Sequence, residues 1–190
     1  MKSELIRKAI HSLIALTPAL AAMNRSHTAL LLLAGAFFYM CAEGLRFVGL
    51  SLPFISSITR GVLREREQGC FALGPVTLGL GAFLTIVLFP PHAAAAAIYS
   101  LAFGDSCAML VGKFFGRLRP AFLRGKSVEG CAACFLVAAA ACYLVFADWR
   151  IALATGIVST LAEAFSPRDF DNLLLPLAAG LTATALSLAL

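Results

Sequence analysis

Residues 93–111 read AAAAAIYSLAFGDSCAMLV. A membrane-spanning helix needs about 20 mainly apolar residues, and this run has that length and character. Pro90-Pro91 bounds it on one side and Lys113 on the other. Its one charged residue, Asp105, lies well inside the run. A charge at membrane depth is costly and reads by default as functional.

The pattern recurs in both directions. Charge and turn clusters divide the chain into seven predicted spans, at 9–23, 28–48, 71–89, 93–111, 131–147, 151–165 and 173–190. The first and sixth are short, so six spans with one half-embedded helix is the rival count. The expected fold class is an all-α polytopic membrane bundle, a single domain over 1–190. Composition agrees: 61% of the 190 residues are hydrophobic and 13% are charged. Globular chains average about 45–50% and about 25%. Fifteen basic and ten acidic side chains cannot cover a soluble protein of this size. A soluble enzyme, a disordered chain and a nucleic-acid partner are excluded on that ground. The lipid bilayer is the expected surrounding. The sequence carries no expectation about oligomeric state.

Lys and Arg set the orientation. With the N-terminus inside, all 15 fall on the inner side except Arg25 and Arg150. The site is therefore expected on the cytoplasmic face, here of the cell inner membrane. The basic start, the apolar run and Ala19, Ala21 and Ala22 have the outline of a signal peptide. The polar run Arg7-Lys8-Ala9-Ile10-His11 within it argues for a retained helix. The six cysteines form no disulfide framework, and Cys131-Ala-Ala-Cys134 lacks a second pair or a nearby His.

Nine of the ten acidic residues map to the inner side, Asp148 being the exception. Four clusters collect there. In the first, Glu4, Arg7, Lys8 and His11 share one helix face by their spacings of three and four. Snorkelling at the membrane edge explains the charges but not His11, one turn deeper; a cationic stripe aimed at phosphate explains all of them. The second is Asp105 within Gly104, Ala108, Gly112 and Gly116, a small-residue ridge that permits close helix or ligand approach. A carboxylate there suits Mg²⁺, a hard cation. The third is Gly125-Lys126-Ser127-Val128-Glu129-Gly130. It looks like the end of a phosphate-binding loop, but Pro120 stands at the first glycine position and no strand precedes it, so a true P-loop is rejected. A Gly-bracketed, Lys-bearing loop able to bind phosphate remains. The fourth runs from Ser159 and Glu163, one turn apart, to Asp169, Asp171 and Asn172. With Asp105 opposite, it reads as a metal and nucleotide site. Residues 53–67 read as an amphipathic helix on the inner surface.

In these clusters the sequence resembles the integral-membrane lipid kinases that include dolichol kinase, phytol kinase and CTP-dependent diacylglycerol kinase, relatives of the CDP-diacylglycerol synthases. The matching elements are Glu4-x-x-Arg7-Lys8-x-x-His11, Arg64-x-x-Glu67, Gly104-Asp105-x-x-Ala108-x-x-x-Gly112-x-x-x-Gly116, Lys126-Ser127-x-Glu129-Gly130, and Glu163 followed by Asp171-Asn172 and Pro176. They occur in family order across nearly the whole chain. The resemblance implies phosphoryl transfer from a nucleoside triphosphate, usually CTP, to a lipid alcohol: a polyprenol, a phytol-like isoprenoid or diacylglycerol. It implies that Arg7, Lys8, Asp105 and Gly112 matter for activity, and that Lys126 and its glycines hold phosphate.

Phosphoryl transfer needs neutralised charge and an aligned nucleophile. Asp105 and Asp171 are the expected Mg²⁺ ligands, with Asn172 assisting. Arg7, Lys8 and Lys126 are expected on the phosphates. Glu163 is the candidate to orient or deprotonate the lipid hydroxyl. Gly104, Gly112, Gly116, Gly125, Ser127, Glu129, Gly130, His11, Arg64 and Glu67 complete the expected nucleotide-binding set. Two other readings compete. A phosphatidate cytidylyltransferase should carry a His-Gly-Gly before its acidic pair; Arg168-Asp169-Phe170-Asp171 has none. A non-catalytic transporter or scaffold should place polar groups near the midplane, often with internal repeats, and these cluster at one side.

Overall fold

The computed structural model describes residues 2–50, 71–167 and 169–190. Regular structure among them is all helical, with no strand. The helices are α1 (Lys2–Ser12), α2 (Thr17–Met23), α3 (Arg25–Phe47), α4 (Gly74–Leu88), α5 (Pro91–Tyr99), α6 (Ser106–Phe114), α7 (Val128–Phe146), α8 (Trp149–Phe165) and α9 (Asp171–Ala189). A 3₁₀ turn, Leu13–Leu16, joins α1 to α2, and a π-helical segment, Ser100–Asp105, joins α5 to α6. The expected surface helix at 53–67, with Arg64 and Glu67, lies outside the described residues, as do Arg168 and the Glu4 side chain.

Local chemistry places the breaks. Asn24 turns the chain between α2 and α3, its side chain accepting from the His27 N–H at 2.9 Å. Pro90 and Pro91 end α4 and open α5, because proline has no N–H to continue a helix but suits its first turn. Ala147, left-handed at φ 54°, closes α7, and Asp148 caps α8 by accepting from Arg150 N at 2.7 Å. Pro176 sits inside α9, where it cannot bond the carbonyl of Asn172 one turn back. Gly81 of α4 packs against that freed carbonyl, so closely that a Cβ would overlap its oxygen.

Four stretches are long and apolar enough to cross a membrane: Arg25–Phe47, Pro91–Phe114, Val128–Phe146 and Asp171–Ala189. They support an integral membrane protein. The other three predicted spans are helical but differ in detail. Helix α4 has 15 residues and α8 has 17, and the first span is interrupted by the 3₁₀ turn.

Helices α7, α8 and α9 pack in chain order as antiparallel neighbours; α9 folds back on α4 and α5, and α3 lies along α4. Small residues are prominent in the interior, beside Ile98, Leu101 and Leu175. Ala82, Ala96, Ala97, Ala138 and Ala179 are completely buried, with Glu43, Thr85, Ser100, Thr155 and Ser159. Leu31, Phe37, Phe38, Leu136, Leu144 and Leu181 are exposed. Hydrocarbon solvent gives large apolar side chains no reason to go inside, while small ones let helices approach.

One end of the bundle is closed by Arg25. Its guanidinium donates to the carbonyls of Ile86, Val87 and Phe89 at 2.8, 3.1 and 3.0 Å. These are carbonyls at the C-terminus of α4, which have no partner within the helix. His92 and Phe146 rings meet at the same end, 6.3 Å apart. The opposite end gathers the charges.

Candidate functional site

Helix α1 rests on the π segment and α6. Its spacing puts Lys8 and His11 on the inward face, and both are buried. The Lys8 ammonium pairs directly with Asp105 Oδ2, and His11 Nε2 lies 3.3 Å from the same oxygen. His11 Nε2 also donates to the Leu101 carbonyl at 3.3 Å, inside the π segment. A π turn widens the helix locally and is frequent at functional sites. Here it carries both the carboxylate and the carbonyl that hold α1. Ser12 and Ser106 hydroxyls, 3.5 Å apart, continue the contact. Arg7 acts electrostatically on His11. The cationic stripe and the buried carboxylate, distinct clusters in the sequence, form one ion-paired unit.

Lys126 reaches in from the loop between α6 and α7. Its ammonium bonds the Glu163 backbone carbonyl and, at 2.7 Å, Glu163 Oε1. The other carboxylate oxygen, Oε2, is buried without a hydrogen-bond partner. Asp171, at the first turn of α9, feels the charges of Asp105, Lys126 and Lys8, and Glu163 feels those of Asp105 and Asp171. Residues from α1, the π segment, the Lys126 loop, α8 and α9 therefore converge.

The Lys126 loop is held by its own neighbours. Ser127 caps α7, its Oγ accepting from Gly130 N at 3.1 Å. Glu129 Oε1 accepts from the backbone of Arg117 and Leu118 at 3.0 and 3.1 Å. Arg119 donates to Gly125 O and Gly112 O, each at 2.6 Å. Gly125 takes φ 90°, open to glycine and strained for other residues. A Cβ at Gly130 would lie 2.7 Å from Ala108 O, and one at Gly116 2.6 Å from Ser127 Oγ. Gly112 meets the same Ser127 hydroxyl, and Gly104 lies against Cys134. The motif pattern assigns these residues to nucleotide binding. In the fold they also make structural contacts, seating α6 on α7 and fixing the loop that presents Lys126.

Asn172 is similarly engaged. Its amide nitrogen donates to Gly74 O at 3.2 Å and Thr77 Oγ1 at 3.4 Å, tying the start of α9 to α4. That bond positions its neighbour Asp171. Asp169 adopts φ 67° in the preceding turn.

Glu43 is absent from the set that the sequence predicts. It is completely buried in α3 and takes two bonds from Arg46, at 2.8 and 2.6 Å. Its Oε1 also accepts from Ala72 N at 2.8 Å, joining the end of α3 to the approach of α4. An acid within a predicted span, three residues before an Arg, was the available signal.

Among the described residues no three His, Cys, Asp or Glu side chains gather closely enough to enclose a metal ion. Mg²⁺ rarely needs such a cage, since one or two carboxylates, water and substrate phosphates complete its shell. Asp105 and Asp171 are the two carboxylates that could meet a cation arriving with a nucleotide, and Asp105 Oδ2 is at present held by Lys8 and His11.

No protein-family model matches the chain, and no solved structure matches it. It is similar to CTP-dependent diacylglycerol kinase 1 of Schizosaccharomyces pombe, at 23% identity over 196 residues, covering 92% of this chain and 89% of that protein.

Proposed function

We propose that this chain is a membrane lipid kinase that transfers the terminal phosphoryl group of a nucleoside triphosphate, CTP in preference to ATP, to a lipid alcohol. The observation that carries the reading is the convergence of Lys8, His11, Asp105, Lys126, Glu163 and Asp171 at one end of an otherwise apolar bundle. Similarity to a CTP-dependent diacylglycerol kinase along 92% of the chain supports it. Diacylglycerol is the first acceptor to test, ahead of polyprenols and phytol-like alcohols. Seven crossings with the N-terminus in the cytoplasm would put the site on the cytoplasmic side of the cell inner membrane.

Each residue has a role in this reading. Lys126, Arg7 and Lys8 bind phosphate oxygens, which requires Lys8 to exchange part of its contact with Asp105 for the nucleotide. Asp105 and Asp171 hold Mg²⁺, with Asn172 fixing Asp171. When bound, the ion supplies charge neutralisation at the phosphates. Glu163 orients the acceptor hydroxyl and receives its proton. His11 keeps the α1–π-segment contact closed against water.

The test is a purified preparation given radiolabelled CTP or ATP with diacylglycerol, a polyprenol and phytol. Phosphorylated lipid with release of CDP is the expected result. Pyrophosphate release with phosphatidate would instead assign cytidylyl transfer. Neither product would remove the enzyme reading.

A further inference from the structure

Several buried and half-buried hydroxyls of this bundle share a habit. Thr85 donates to Gly81 O at 2.7 Å, Ser100 to Ala96 O at 2.8 Å, Thr160 to Gly156 O at 2.8 Å and Thr182 to Ala178 O at 2.8 Å. Each satisfies itself on the carbonyl one turn back. Ser159 departs from this. It is completely buried, and its Oγ has no hydrogen-bond partner. One turn later on the same face of α8, Glu163 Oε2 is the second orphan, while Oε1 is held by Lys126. Thr155, one turn further from the charges, is also completely buried without a hydrogen-bond partner, and it faces the Cys142 thiol rather than a carboxylate. Thr184 Oγ1 also lacks a partner, but it stands in the half of α9 remote from Asp171.

A buried polar group left unpaired weakens the fold. Two of them, a donor and an acceptor four residues apart beside a cation, have the chemistry of a site for one hydroxyl. We propose that Ser159 and Glu163 together grip the acceptor alcohol: its O–H donates to Glu163 Oε2, and its oxygen accepts from the Ser159 O–H. This deepens the kinase reading and rests on it.

The reaction balances at this position. The lipid oxygen forms a bond to the terminal phosphorus of the nucleotide. The bond from that phosphorus to the bridging oxygen breaks, and its electron pair leaves with the nucleoside diphosphate. The lipid proton passes to Glu163. Ser159 lies about 6 Å deeper along the helix axis than Glu163, at 1.5 Å per residue. The acceptor hydroxyl must therefore sit below the headgroup layer, as that of an uncharged lipid can. A phosphate monoester at this position would meet the Glu163 carboxylate with like charge. The pair thus selects a neutral alcohol over phosphatidate.

The experiment is Ser159→Ala in the full chain, assayed with CTP and diacylglycerol or phytol, beside thermal unfolding of the purified protein. The expected result is a Tm equal to or above wild type, because an unsatisfied group has been removed. With it, kcat/KM for the lipid falls about 10–100-fold, the worth of one hydrogen bond to a charged or reacting group. KM for CTP stays within about 2-fold, since uniform loss would mark a general defect. Ser159→Cys, which keeps the volume but donates weakly, should show the same activity loss. Thr85→Ala, which removes a self-satisfied hydroxyl, should lower Tm and leave the kcat/KM of the folded protein unchanged. A Ser159→Ala protein that loses Tm and activity together would assign the hydroxyl to the fold and overturn the proposal, as would one with wild-type kcat/KM. If the wild-type chain phosphorylates no lipid alcohol, the kinase reading itself falls and takes this inference with it.

Discussion

Lys8 and Asp105 lie 97 positions apart in the chain and are buried against each other, with side chains 8% and 7% exposed. Removing one member of such a pair strands the other charge, at a cost of about 3–5 kcal/mol. Asp105→Asn is expected to lower Tm by roughly 6–20 °C, at about 2–4 °C per kcal/mol for a chain of this size, and to abolish phosphoryl transfer. Combining Lys8→Met with Asp105→Leu should restore most of the Tm and none of the activity, because the desolvated pair contributes little that apolar packing cannot replace. Wild-type activity in Asp105→Asn would remove Asp105 from the site. Glu163→Gln keeps the shape but not the base; kcat should fall about 10²–10⁴-fold with KM for the nucleotide little changed. Sequence alone marked Lys8, His11, Asp105 and Glu163, because charges at membrane depth are conspicuous. Their pairing was not legible. Electrostatic partners across a bundle leave no trace in local spacing, which is why one buried unit read as two clusters.

Helix limits were legible where a residue type has one backbone consequence. Pro90-Pro91 stops one helix and starts the next where expected, and the breaks left between the other predicted spans hold Asn24, Asp148 and Ser166-Pro167, each at a helix end. The π segment was not, since an extra residue in a turn has no compositional signature. It nonetheless carries Asp105 and the Leu101 carbonyl. The Gly-Lys-Ser motif is conspicuous in the sequence, and its parts have different contacts in the fold: serine and glycines lie at the α6–α7 contact, and lysine pairs with Glu163. Two substitutions test that division. Ser127→Ala removes a helix cap at about 1 kcal/mol and should lower Tm by roughly 2–4 °C. Gly130→Ala forces a Cβ against Ala108 O, an overpacking worth about 1–3 kcal/mol. Both should raise KM for CTP by displacing Lys126, without changing which lipid is accepted. If either left Tm unchanged and raised KM for CTP as much as Lys126→Ala, the motif would be binding nucleotide through its own atoms.

The molecule as a whole holds the Arg25 clasp at one end and the Lys8–Asp105 and Lys126–Glu163 pairs at the other. Single cysteines at position 113 and at position 150, in a background without other cysteines, should be labelled from opposite sides of sealed vesicles. Labelling of both from one side would refute the odd number of crossings between them. Positions 113 and 150 flank α7 and its turn, so the result bears directly on the span count.

The clasp at Arg25 also sets an order of assembly. Its three carbonyl acceptors belong to residues 86, 87 and 89, which emerge from the ribosome some 60 residues after it. Lys8 waits longer for Asp105, and Lys126 must wait for Glu163. A nascent chain therefore carries unpaired cations at both ends of its early helices. The Arg25 end can lock first, while the charged end closes only when the last third of the protein has been made. Chains truncated between residues 90 and 104 and released into the bilayer should hold a formed clasp beside an α1 whose Lys8 ammonium has no carboxylate to meet.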